Sequence, residues 1–156
     1  MKGYVSIGIP VKAYIKAYMI KELGSEMKLS TSQHVIYNKL YDLLERSQNP
    51  DKIDATCNYN AKLVIFISRS QFRKRGCNLN HTNIRSFNKF VELMLKHRFH
   101  NLMDDLIAIR PGFERNLVIV RKRLGIDVEA WSDDSMKKDY YRSRLRRNMP
   151  LFNNRQ

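Results

Sequence analysis

Acidic residues are scarce in this chain. Asp and Glu number 15 against 29 Lys and Arg, which leaves a formal charge of +14 and a pI near 10.0. Such a balance argues against an acidic small-molecule enzyme and for a polyanionic partner. Cysteine is nearly absent, and Cys57 and Cys77 are too few for a disulfide framework. Long apolar runs are missing as well. The best, Leu63 to Ile67, falls far short of a membrane span. The opening Met1-Lys2-Gly3-Tyr4-Val5 lacks the apolar stretch of a signal peptide, and Gly3 stands one place too late for a myristoyl acceptor. These absences set the expectation of a soluble protein in a reducing cytoplasm. Internal repeats, low-complexity tracts, Gly-rich phosphate loops, nucleophile elbows and zincin motifs are also lacking.

What is present is enough for one core. The chain has 156 residues and is 43% hydrophobic, and a domain of that length buries roughly two thirds of the surface its unfolded chain exposes. We expect a single domain over 1–150, divisible into an N-terminal half (1–76) and a helical half (77–150), with a frayed tail over 151–156.

The apolar pattern supplies the elements. Val5, Ile7 and Ile9 alternate with Ser6 and Gly8, which predicts a short strand over 4–9. Pro10 then suits a helix start, with Val11, Tyr14, Ile15, Tyr18 and Met19 at helical spacing and Gly24 as the stop. A second helix is predicted over 32–46, capped by Ser30, Thr31 or Ser32, with Ile36, Leu40, Leu43 and Leu44 inward. Residues 47–60 read as a loop, and Leu63 to Ile67 as a central strand pairing with 4–9. Residues 68–76 form a basic connector. The clearest helical period runs from Thr82 to Ile109, through Ile84, Phe87, Val91, Met94, Leu95, Phe99, Leu102 and Leu106, with a bend expected near His100-Asn101. Pro111-Gly112 ends it. A helix follows over 113–124 with Leu117 and Val120 inward, then a single turn over 127–131. Ser132 caps a last helix to about Arg147, closed by Pro150.

The fold class expected is therefore α+β, mostly helical. A small two-stranded ribbon packs on a helical core, and a basic C-terminal helix sits in a loosely helix-turn-helix-like arrangement with the helix before it.

That last helix carries the strongest functional signal. Met136 to Arg147 holds Lys137, Lys138, Arg142, Arg144, Arg146 and Arg147 against the single acid Asp139, a local charge of +5. Lys138, Arg142 and Arg146 share one stripe, and Lys137, Tyr141 and Arg144 the next. Met136 and Tyr140 face the other way and anchor the helix. Cations this close repel one another, and a phosphate backbone relieves that repulsion while releasing counterions. Tyr141 among the arginines can bond a phosphate or stack on a base. Arg121-Lys122-Arg123 extend the patch, and Arg73-Lys74-Arg75 form a secondary one. A solvated helix end with cations at its negative pole is the plainer account of any single charge run. The chain-wide excess favours nucleic-acid contact. A true helix-turn-helix is a looser match, because Asp127 to Ser132 lengthens the connection beyond the usual three or four residues.

Chemical constellations fare worse. Cys57, Cys77 and His81, with His34 or His97 as a fourth, lack zinc-finger spacing. His97 and His100 lie one turn apart and flank an apolar face. Asp104-Asp105 and Asp133-Asp134 point adjacent carboxylates to different sides of a helix, so neither pair alone makes a two-metal site. Arg69-Ser70-Gln71 lacks a partner base. Tyr141-Arg142 lacks the histidine-and-arginine box of a tyrosine recombinase. No catalytic set is complete, so we expect no enzyme activity, metal or cofactor.

Ile9-Pro10-Val11-Lys12-x-Tyr14-Ile15-Lys16 at the start resembles small uncharacterised basic proteins of Bacteroidota phages and mobile elements. So does Trp131-Ser132 through Lys137-Lys138-x-Tyr140-Tyr141-Arg142-x-Arg144 at the end. That group has no established activity. The resemblance implies a bacterial or phage protein at work in the host cytoplasm on DNA. The reading preferred is a non-enzymatic, DNA-binding transcriptional or replication accessory factor, whose partner is duplex DNA and not a membrane. Its rivals are a phage virion or assembly protein, held to nucleic acid or an acidic partner, and an RNA-binding module. RNA binding would favour exposed aromatics on a sheet, and these strands read as too apolar for that.

Overall fold

The computed structural model describes residues 3–30, 32–46 and 59–148. Among them the elements follow in the order β1 (Tyr4–Val11), α1 (Ala13–Leu23), β2 (Met27–Lys28), α2 (Val35–Leu43), β3 (Ala61–Ser68), α3 (Arg69–Arg75), α4 (His81–Ile109), α5 (Phe113–Leu124) and α6 (Asp133–Asn148). The fold is α+β and mostly helical. The chain divides into two compact units, Met1–Leu95 and Lys96–Gln156. The boundary falls inside α4.

In the first unit β1 and β3 pair antiparallel, with Val5 opposite Ile67, Ile7 opposite Ile65 and Ile9 opposite Leu63, as the two apolar patterns require. The sheet is not the two-stranded ribbon expected. Met27–Lys28 adds a third strand parallel to β3, in the order β1-β3-β2, and the Leu29 amide extends that ladder to the Phe66 carbonyl at 2.8 Å. Two residues are too few to show an alternating pattern in sequence. Ile7, Ile9, Val11, Leu63, Ile65, Ile67 and Met27 are buried on one face of this sheet, and α1 and α3 lie in contact with it.

Pro10 does not open a helix. It extends β1, which is an edge strand and so tolerates a residue with no amide to donate. Helix α1 begins instead at Ala13 and stops at Gly24, whose amide bonds the Ile20 carbonyl at 2.9 Å. The strand-to-helix joint is held by Asn88, a buried polar side chain on α4. It donates to the Pro10 carbonyl at 3.0 Å and to the Ile84 carbonyl at 2.9 Å, and accepts from the Lys12 amide at 3.2 Å.

Helix α2 is shorter than expected. Its cap is neither Ser30 nor Ser32 but His34, whose Nδ1 accepts from the Ile36 amide at 3.1 Å. Thr31, the other cap candidate, lies outside the described residues. Ile36, Leu40 and Leu44 are buried, whereas Leu43 is half-buried. Most of the expected 47–60 loop lies outside the described residues.

The basic connector 68–76 is largely a helix. Ser68 accepts from the Gln71 amide at 3.2 Å and Gln71 returns a bond to the Ser68 amide at 3.0 Å, a capping box that starts α3. Gly76 ends it with φ +82°, and a Cβ there would strike the Arg46 backbone at 2.6 Å. Only glycine meets both demands.

Helix α4 is continuous through His100-Asn101, with Ile84, Phe87, Val91, Leu95, Phe99 and Met103 buried along one stripe. Met94, Leu102 and Leu106 are half-buried at the flanks of that stripe, and Met103 takes the central place. In the second unit Phe99, Phe113, Leu117, Val120, Leu124, Trp131, Met136 and Tyr140 are buried. Phe99 meets Trp131 edge-on at 5.4 Å, and Phe113 meets Tyr140 at 5.7 Å. Gly125 ends α5 in the left-handed conformation. The single turn follows, with the Trp131 amide bonding the Asp127 carbonyl at 3.2 Å. Ser132 caps α6, its Oγ accepting from the Ser135 amide at 3.3 Å. Pro150 and the tail 151–156 lie outside the described residues.

Candidate nucleic-acid interface

Helix α6 is anchored as its sequence implies. Met136 is fully buried and Tyr140 1% exposed. Tyr140 donates to Asp104 on α4 at 2.6 Å, and burial followed by that bond pushes its phenol up to about 12. The one acid in the basic run, Asp139, turns inward with Tyr140. It bonds His100 Nε2 at 2.6 Å and Lys96 at 3.2 Å. Burial would raise the Asp139 carboxyl, but His100 and Lys96 outweigh it and hold it below the usual carboxylate range. The inward turn removes the only carboxylate of Met136–Arg147 from the solvent side of α6.

Lys138, Arg142 and Arg146 are exposed and carry no ion pair among the described residues. Their neighbours are more committed. Lys137 donates to Glu114 at 2.9 Å, which raises its ammonium and lowers the Glu114 carboxyl, and it also lies 5.7 Å over the Phe113 ring. Arg144 rests 5.9 Å over Tyr140. Arg147 reaches Asp104 at 2.6 Å. Burial raises the Asp104 carboxyl, but bonds from Arg147 and Tyr140 outweigh it and leave a net lowering. An open cleft of about 350 Å³ lies beside this group, lined by Asp104, Ile107, Tyr140, Arg144 and Arg147. Tyr141 is 44% exposed and stacks on Phe113 at 5.8 Å, so one face of its ring is already covered.

The α5 cluster divides. Arg121 leaves the basic patch: its side chain is only 12% exposed and its guanidinium is spent on the connector. It donates to Asp133 at 2.6 Å, to the Trp131 carbonyl at 2.6 Å and to the Asp127 carbonyl at 3.0 Å. Lys122 and Arg123 are exposed. The Arg121–Asp133 pair sets their turn beside the first turn of α6, while Arg142 lies nine residues of helix further on, roughly 14 Å at 1.5 Å each. The structure thus separates Lys122 and Arg123 from Arg142 and Arg146.

On α3, Arg73, Lys74 and Arg75 occupy the last turn, where cations suit the helix dipole. Arg75 lies 3.6 Å from Asp42 and 5.3 Å over the Tyr41 ring, and the Lys74 carbonyl accepts from Arg46 at 3.0 Å. Arg73 and the Lys74 side chain are exposed. A cationic cleft of about 500 Å³ in the first unit went unread in the sequence. It is lined by Lys12, Tyr59, Arg85, Lys89 and Glu92, with Lys12 tied to Glu92 at 2.9 Å. The four-residue spacing of Arg85 and Lys89 was its only signal.

The weighed metal ligands are scattered. Cys57 lies outside the described residues, Cys77 is a half-buried thiol, His34 caps α2, and His97 sits 3.4 Å from Asn101. Among the described residues no three His, Cys, Asp or Glu side chains are grouped for a metal, and no helix is long and apolar enough to cross a membrane. Asp104 and Asp133 are each held by an arginine, while Asp105 and Asp134 are exposed. No known protein family, curated protein or solved structure matches this chain.

Proposed function

We propose that the protein is a non-enzymatic DNA-binding protein, an accessory factor for transcription or replication in a phage or mobile element. One observation carries this reading: Lys138, Arg142 and Arg146 line the exposed side of α6 without a carboxylate partner among the described residues, while Asp139 is folded inward. The distribution of charge favours contact with the phosphate backbone over base readout. A recognition helix reads bases with its N-terminal residues, and the first turn of α6 carries Asp133 and Asp134. Its cations lie in the middle and last turns. The contact is therefore expected to be indifferent to sequence and steep in salt.

The test is titration of labelled duplexes of unrelated sequence at several salt concentrations. Arg142→Ala with Arg146→Ala should weaken binding to every duplex by similar factors. It should also reduce the log–log salt slope by about one for each lost contact, with the melting temperature unchanged. A double variant that binds normally but melts early would make these arginines structural. Failure of the wild-type chain to bind duplex at low salt would sink the reading and favour a virion or protein-partner role.

A further inference from the structure

We propose that the outer face of the β-sheet is a binding platform for single-stranded nucleic acid. Its bases would stack on Tyr4 and Phe66, and its phosphates would be held by Lys28 and Lys62. The site lies in the first unit and stands apart from the α6 reading.

One side of β1-β3-β2 is buried, and residues on the other side point to solvent. The register places Ser6, Phe66 and Lys28 in one cross-strand row, with Tyr4 diagonal to Phe66 and Gly8 opposite Val64. Tyr4 is 39% and Val64 45% exposed, Ser6, Gly8, Lys28 and Lys62 are exposed, and Phe66 is half-buried. An aromatic pair set diagonally across adjacent strands, ~7–8 Å apart at the backbone, offers two stacking surfaces of the kind that sheet-based RNA readers use. The Lys28 ammonium lies 5.8 Å over the Tyr4 ring, so one face of that ring is covered by a mobile cation and not by the core. A base can take that place and release Lys28 to a phosphate. At the far end Lys62 lies across Gly8, so that a Cβ at Gly8 would collide with the Lys62 stem. Gly8 thereby leaves room for a second cation flat on the sheet. No residue of β1, β2 or β3 is acidic, and the one nearby carboxylate, Glu26 just before β2, lies 3.9 Å from Lys28 in an exposed pair that a phosphate can replace, so the face carries cations and rings complementary to a flexible polyanion with exposed bases. Stacking is indifferent to sugar and sequence, so ribo- and deoxyribo-oligonucleotides are both expected ligands. Most of the apolar residues of these strands, Ile7, Ile9, Val11, Leu63, Ile65, Ile67 and Met27, belong to the core face and leave the outer face more polar.

The experiment is anisotropy titration of the full chain with labelled single strands of about ten nucleotides, as RNA, as DNA and as an abasic strand of equal length. Tyr4→Ala should weaken binding to the base-bearing strands about tenfold, and Tyr4→Phe should restore it. Lys28→Ala with Lys62→Ala should lower affinity and flatten the salt dependence. Arg142→Ala with Arg146→Ala, which tests duplex binding, should leave the effect of Tyr4→Ala intact, so the two sites can fail separately. Thermal melts of each variant confirm the fold. Equal affinity for the abasic strand, or no loss in Tyr4→Ala, overturns the proposal. So does absence of single-strand binding with a dimer that Tyr4→Ala dissolves, which would assign the face to a second copy of the chain.

Discussion

Arg121 donates to one carboxylate and to the carbonyls of the turn between α5 and α6, so its charge stabilises the fold, whereas Arg142 shows its charge to solvent. Replacing Arg121 with Ala removes a donor from the part-buried Trp131 carbonyl, while the exposed Asp133 and Asp127 acceptors turn to water. A loss of ~1–2 kcal/mol in urea unfolding is expected, and Lys at this position should not restore it, lacking the planar fork. Lys122→Ala should change stability by less than ~0.5 kcal/mol. The inward carboxylates give a second prediction. Asp139 and Asp104 are held below their ordinary range, so each stabilises the folded chain above its unfolded pKa. That contribution is lost as pH falls through the folded value. The urea midpoint should drop below about pH 5, and Asp139→Asn should flatten that acid limb; an unchanged acid limb in this variant would show the contacts of Asp139 with His100 and Lys96 to be energetically silent.

Among the elements, α3 shows how a local device outweighs composition. SRSQFRKRG reads as a basic connector, yet Ser68 and Gln71 bond each other's amides and begin a helix, and Gln71 also donates to the Leu29 carbonyl at 3.0 Å beyond β2. Ser68→Ala should cost about 1 kcal/mol, read as an earlier thermal transition. Helix α4 shows the reverse case, where a long apolar period was sufficient. Its stripe from Ile84 to Met103 is buried as the spacing demands. Pro10 lies between the two: its rigid φ suits a helix start and an edge strand alike, and pairing with Lys62 decides for the strand.

For the whole molecule, +14 on 156 residues means net self-repulsion in the folded state. Added salt screens it, so the melting temperature should rise with salt from low ionic strength while affinity for nucleic acid falls. A melting temperature that drops with salt would show that the ion pairs of Asp104, Asp139 and Arg121 outweigh the repulsion.

The sequence by itself determined the periodic elements: the paired strands, α1, α4, α5 and α6, and the inward residues Met136 and Tyr140. These depend on spacing within one segment, where burial of an apolar stripe overrides the rest. It also determined the charge and the stripe of Lys138, Arg142 and Arg146. Tertiary structure alone decided what depends on partners distant along the chain. A two-residue strand exists because β3 offers it a free edge. Arg121 is structural because Asp133 and the connector carbonyls converge on it. Asp139 disappears from the basic face because His100 and Lys96 lie behind it. Tyr4 and Phe66 share an open face because the register of β1 on β3 puts them there. Composition counts charges and rings; only packing determines which of them meet a partner inside the protein and which remain exposed to solvent.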